Sequence, residues 1–126
     1  MLIRIDAASE RSIYEQIADS LRASIARGEI GAGDALPSAR AVATGLDVHQ
    51  HTVLHAYQQL RDEGLVDLRR GRGAVVTAAA TGIVALFGEA RRLAAKAAGL
   101  GIAPAALAAI VLHAAPGSTH DQEVIP

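Results

Sequence analysis

Apolar positions recur at helical spacing early in the chain. Ile13, Ile17, Leu21 and Ile25, with Ala18 beside them, predict a first helix. Ser12-Ile13-Tyr14-Glu15 opens it as a capping-box pattern and Gly28 closes it. Ahead of it, residues 2–5 alternate and predict a short edge strand. The segment from Gly31 to Pro37 is a turn-rich connector. Ser38 then suits the N-cap of a short second helix that turns Val42, Ala43 and Leu46 inward. Gly45-Leu46-Asp47-Val48 reads as a tight turn. A third helix is expected from His49 to Glu63, with Val53, Ala56, Tyr57 and Leu60 on one face and a stop at Gly64.

Two short apolar runs follow, 65–68 and 74–77, around the tip Arg69-Arg70-Gly71-Arg72-Gly73, which predicts a β-hairpin. Two helices joined by a short turn and followed by a hairpin make a winged helix-turn-helix. The predicted fold class is therefore α+β, mostly α, with that domain over residues 1–77. Beyond Thr77 the chain becomes alanine-rich. A fourth helix carries the apolar stripe Ile83, Leu86, Phe87, Ala90, Leu93, Ala94 and Ala97, with Glu89, Arg92 and Lys96 on its wet side. Pro104 suits the first turn of a fifth helix with Leu107, Ile110 and Val111 as apolar positions. Residues 78–115 are expected to form a two-helix dimerisation region. Its contacts would come from Ile83, Leu86, Phe87, Ala90, Leu93, Leu107, Ile110 and Val111. Residues 116–126 are expected to be a flexible polar tail.

Composition sharpens the dimer expectation. Hydrophobic residues make up 51% of the 126, but aromatics only 2%. The core must come from Ala, Leu, Ile and Val, whose smaller side chains bury less area each, and oligomerisation is one remedy. Cysteine is absent, which excludes disulfides and thiolate metal sites and fits a reducing cytoplasm. The N-terminus shows no signal-peptide pattern. The uncharged run from Pro104 to Ala115 would rise only ~18 Å as a helix, against ~30 Å of hydrocarbon. It reads as a buried helix, and no membrane association is expected.

Net charge is −1, which does not by itself point to nucleic acid. Its distribution does more: Arg69, Arg70 and Arg72 cluster at the hairpin tip with no acid between Leu68 and Gly73. Such a tip can meet phosphate or a minor groove, or be a solvated loop. In a helix-turn-helix the N-terminal residues of the third helix reach base edges. Here these are His49, Gln50, His51, Thr52 and His55. Gln can bond adenine and Thr can bond a base or meet a thymine methyl; the same residues also read as a solvated helix face. His51 and His55 have the i, i+4 spacing of metal ligands, but position 59 is Gln rather than a carboxylate, so no metal or cofactor is expected. Arg40, near the start of the second helix beside its cap Ser38, could clamp a phosphate or pair with Asp34 or Asp47.

These segments together resemble the GntR family of regulators. The resemblance is carried by Leu36-Pro37-Ser38-Ala39-Arg40, Thr52-Val53, Tyr57-Gln58-Gln59-Leu60, Glu63-Gly64-Leu65-Val66 and Gly71-Arg72-Gly73, with Ile13-Tyr14-Glu15-Gln16-Ile17 and Gly28-Glu29-Ile30 upstream. The short remainder resembles the YtrA-type branch. The resemblance implies that Arg40 contacts double-stranded DNA, that the third helix reads an operator, and that the Gly71–Gly73 tip enters a minor groove. It implies a homodimer on a palindromic operator, most often a repressor and often beside transporter genes. The family's turn usually has Gly where Asp47 stands here, and its polar or arginine positions on the reading helix are histidine-rich here. A small-molecule effector would have to use the C-terminal helices or the dimer seam. An enzyme is not expected: the single lysine, Lys96, has no catalytic framing, and no Ser/His/Asp constellation occurs at motif spacing. A protein-binding winged helix is the remaining alternative, against which the arginine tip argues.

Overall fold

The computed structural model describes residues 3–71 and 73–117. Its elements are α1 (Ile13–Ala26), α2 (Ala39–Leu46), α3 (Gln50–Asp62), β1 (Val66–Arg69), β2 (Gly73–Val76), α4 (Ala79–Gly99) and α5 (Pro104–Ala114). The chain divides into two compact units, Met1–Phe87 and Gly88–Pro126.

Local chemistry sets the ends of α1. The Ser12 hydroxyl accepts from the Glu15 N–H and donates to the Glu15 carboxylate at 2.8 Å, so the predicted capping box forms. Arg27 caps the other end, and Gly28 turns the chain away at φ 78°. The inward faces of α1 and α3 supply the core: Ile17, Leu21, Ile25, Val53 and Leu60 have no exposed surface. Fully burying each such side chain is worth roughly 1.5–3 kcal/mol. Val66 and Val76 close this core from the hairpin, and Ala80 and Ile83 at the start of α4 pack on it. The first unit therefore extends into α4.

β1 and β2 pair antiparallel, with Val66 opposite Val76 and Arg69 opposite Gly73. The edge strand expected at residues 2–5 does not form over the part described, residues 3–5. Both backbone groups of Arg4 bond the Ser20 hydroxyl instead, at 3.3 and 3.2 Å, while Ile3 and Ile5 pack on the core. Side-chain bonding thus occupies the groups that a ladder would need. The connector takes the edge of β2. Gly33 and Leu36 donate to Val76 and Ala74 at 2.8 Å, Val76 donates to Asp34 at 2.9 Å, and Ala35 bridges Val75.

In the second unit the apolar faces of α4 and α5 line a groove of about 510 Å³, with Ala90, Ala97, Leu107 and Val111 among its walls. The fifth helix was expected to be buried. In the single chain none of its residues is buried, and Ile110, Val111 and Leu112 are about half or more exposed. An apolar surface all round a helix needs more cover than one neighbouring helix supplies. Among the described residues no helix is long and apolar enough to cross a membrane. The tail expected over 116–126 lies outside the described residues from 118 onward.

Candidate nucleic-acid interface

The second helix begins at Ser38, whose hydroxyl accepts from the Ala41 N–H at 3.1 Å. That cap sets Arg40 one residue into the helix, exposed and in no ion pair with any described residue, including Asp34 and Asp47. Asp47 ends α2 in the left-handed conformation, φ 55° and ψ 49°. It is the one non-glycine residue at positive φ among the described residues. Asp tolerates this region better than most side chains. The Val48 N–H reaches back to the Ala43 carbonyl at 3.0 Å, which closes the turn and aims α3. Arg40, Thr44, Asp47, His49 and Gln50 consequently face one cleft at the elbow of the two helices, about 540 Å³ in volume.

His49 lies just before α3 as its N-cap, not within it. Its Nδ1 accepts from the His51 N–H at 3.1 Å, and the two rings stack with centroids 4.9 Å apart. His55 stacks on Tyr14 of α1, with centroids 3.8 Å apart. His51 and His55 are thus held by different rings. Among the described residues no three His, Cys, Asp or Glu side chains gather to hold a metal. Gln50 and His51 are exposed and Thr52 is half-buried, so the start of α3 presents polar atoms to solvent.

The hairpin forms a wing beside this face. Gly71 at φ 81° and Gly73 at φ 74° make the tip turn; Arg72 lies outside the described residues. Arg70 carries no ion pair with a described residue, whereas Arg69 is 3.4 Å from the carboxylate of Asp67, just outside the acid-free window. A second groove, about 410 Å³, runs between the wing and the helices, lined by Ser38, Leu54, Tyr57, Arg69 and Arg70 among others. The buried Tyr57 hydroxyl donates to the Pro37 carbonyl at 2.6 Å. Burial pushes its phenol up to about 12, which keeps that proton in place. Behind α3, Arg22 holds the Glu63 carboxylate in a two-pronged pair at 2.6 and 2.7 Å and also bonds Asp19. This keeps the Glu63 carboxyl below the usual carboxylate range.

Sequence reasoning missed Thr44, Leu54, Asp67 and Tyr14. Thr44 follows Arg40 by one helical turn, so spacing could have found it. The reach of Tyr14 to His55 is tertiary and left no local signal.

Residues 13–76 match the bacterial regulatory proteins of the gntR family. The chain belongs to the gntR family. It is similar to the HTH-type transcriptional repressor YtrA of Bacillus subtilis (strain 168), 38% identical over 76 residues. That match covers 60% of this chain and 58% of the relative, so the chain spans little more than half of it. Among solved structures it is similar to YtrA from Sulfolobus acidocaldarius, a GntR-family transcription factor, at 44% identity and a TM-score of 0.57, covering 61% of this chain and 81% of that one. A GntR family transcriptional regulator from Listeria monocytogenes shares 28% identity at a TM-score of 0.61, covering 85% of this chain and 96% of that one. The family match contains Arg40, α3 and the hairpin. All eight apolar candidates lie beyond it. Ile83 packs on the core of the first unit and Phe87 and Leu107 are half-buried. Leu86, Leu93, Ile110 and Val111 are 44–59% exposed, and Ala90 is exposed.

Proposed function

We propose that this gntR-family chain is a sequence-specific DNA-binding regulator that works as a homodimer and represses transcription from a palindromic operator. One observation carries the DNA reading: Arg40 and the start of α3 face a single cleft, with an arginine-bearing wing beside them. In this arrangement α2 crosses the phosphate backbone and the start of α3 reaches base edges. Ser38, Arg40, Arg69 and Arg70 hold backbone, the 71–73 tip enters a minor groove, and His49, Gln50, His51, Thr52 and His55 face the bases. Repression comes to this chain from the name of the Bacillus relative. The branch resemblance points to transporter genes as targets and to the cytoplasm as the place of action. The relatives' names are those of regulators and support a non-enzymatic role.

The second region supports the dimer. Leu86, Leu93, Leu100, Ile110, Val111 and Leu112 stand 44–69% exposed in one chain, more apolar surface than an isolated helix pair should leave to water. A twofold dimer sets two reading helices about 34 Å apart or a multiple of it. The apolar groove between α4 and α5, about 510 Å³, is the place for a small-molecule effector.

Arg40→Ala should weaken binding to all DNA sequences and lower the salt dependence of binding by about one phosphate contact. Footprinting and titration across salt concentrations on the chain's own upstream region measure both. Unchanged binding in Arg40→Ala and Arg70→Ala would sink the DNA reading.

A further inference from the structure

Leu54 is the one large apolar side chain of α3 that the core does not use. Val53, Ala56, Tyr57 and Leu60 are buried there. Leu54 is half-buried and belongs neither to the core cluster nor to the partly buried residues packed on it. It follows Gln50 and His51 by four and three residues, so it shares their side of the helix one turn further on. Its side chain lines the groove of about 410 Å³ between the hairpin and the helices, together with Leu68, Arg69 and Arg70. We propose that Leu54 is a specificity-determining residue that packs on the C5-methyl group of a thymine in the major groove. The inference rests on the DNA reading above and assigns one base preference within it.

The surroundings of Leu54 fit a base edge flanked by phosphate. Beside it the groove wall is carbon, from Leu68, Ala39, Ala74 and the ring of Tyr57. The Tyr57 hydroxyl is committed to the Pro37 carbonyl and offers its proton to nothing else. Positive charge comes from Arg69 and Arg70, and among the described residues no Asp or Glu lines the groove. Arg69 shares its charge with Asp67, while Arg70 has no ion pair with a described residue. Guanidinium groups suit the backbone of a duplex, and a leucine between them and the reading residues suits an apolar spot on a base.

Base chemistry selects thymine. In the major groove the other three bases offer hydrogen-bonding groups but no methyl, while thymine adds its C5-methyl to an O4 acceptor. Leu54 can neither donate nor accept. A polar base atom pressed against it would lose water and gain no partner. A methyl pressed against it takes apolar surface out of water on both sides, and one such group is worth about fourfold in affinity. Thr52 can also meet a thymine methyl. Two residues away, it points about 160° from Leu54 around the helix, so the two would meet different bases.

The test replaces each thymine of the footprinted operator in turn by uracil, which removes the methyl group alone. Affinity is titrated for the unchanged chain, Leu54→Ala and Leu54→Gln. In the unchanged chain at least one uracil should weaken binding about fourfold. At that position both variants should bind thymine and uracil equally, while the other thymines keep their effects. Leu54→Gln preserves the bulk of the side chain, so the comparison survives if Leu54→Ala folds poorly. An unchanged chain that ignores every uracil, or a uracil profile that is the same in all three proteins, overturns the assignment and leaves the DNA reading intact. A chain whose binding shows no sequence preference overturns both.

Discussion

Arg22 and Glu63 show how single residues fix α3 from behind. The two-pronged pair joins the middle of α1 to the C-cap of α3, and each side chain is about one-third exposed. Solvent screening keeps its value modest, on the order of 1 kcal/mol at neutral pH. The Glu63 carboxyl is held below its ordinary range by the guanidinium, so folding favours its charged form. Its contribution is complete above the unfolded-state carboxylate range, about pH 4–5, and disappears as pH falls through the depressed folded value. Glu63→Gln should therefore cost on the order of 1 kcal/mol at pH 7 and progressively less below about pH 4, as read by urea unfolding at several pH values. Some of this scale was legible in sequence. Ser12, Ser38 and Asp47 act where their side-chain chemistry suggested. The Arg22–Glu63 pair was not legible, because it spans 41 residues and depends on how two helices pack.

Among elements, helix periodicity was the clearest signal. All four apolar residues placed on the inner face of α3 are buried, and the hairpin forms where the apolar runs indicated. Strand assignment at the sheet edge went to the wrong segment. Residues 2–5 alternate, but Ser20 captures Arg4, whereas the turn-rich connector pairs with β2 through its backbone. Backbone pairing of this kind leaves no side-chain pattern. Nor was the half-exposed state of α5 legible, since an apolar helix reads as buried whether its cover is its own chain or another. Tyr57 ties α3 to the entry of α2 by its hydroxyl on Pro37. Tyr57→Phe removes that bond and leaves a carbonyl short of a partner. It should cost about 1–2 kcal/mol in thermal or urea unfolding.

For the whole molecule, the near-zero net charge hid the candidate site, because Arg40 and the wing arginines are balanced by acids placed elsewhere, among them Asp19 and Glu63. Order of elements revealed the winged helix, and order survives any charge average. What order could not reveal is how the two compact units share the apolar load. The first closes around its own core but leaves Val84 and Leu86 near its end in solvent, and the second leaves Leu93, Leu100, Ile110, Val111 and Leu112 there. If a second copy covers them, association and folding are linked. The melting temperature should then climb with protein concentration, which calorimetry over a hundredfold range would show; a constant midpoint would count against the dimer.

The connector's bond to β2 also has a mechanical side. Leu36 is fastened to Ala74 in the wing, the Pro37 carbonyl is fastened to Tyr57 in α3, and Ser38 then starts α2. Three consecutive residues thus rivet the hairpin, α3 and α2 to one short strap. If Arg40 and the wing both grip a duplex, as proposed, this strap is what ties one grip to the other.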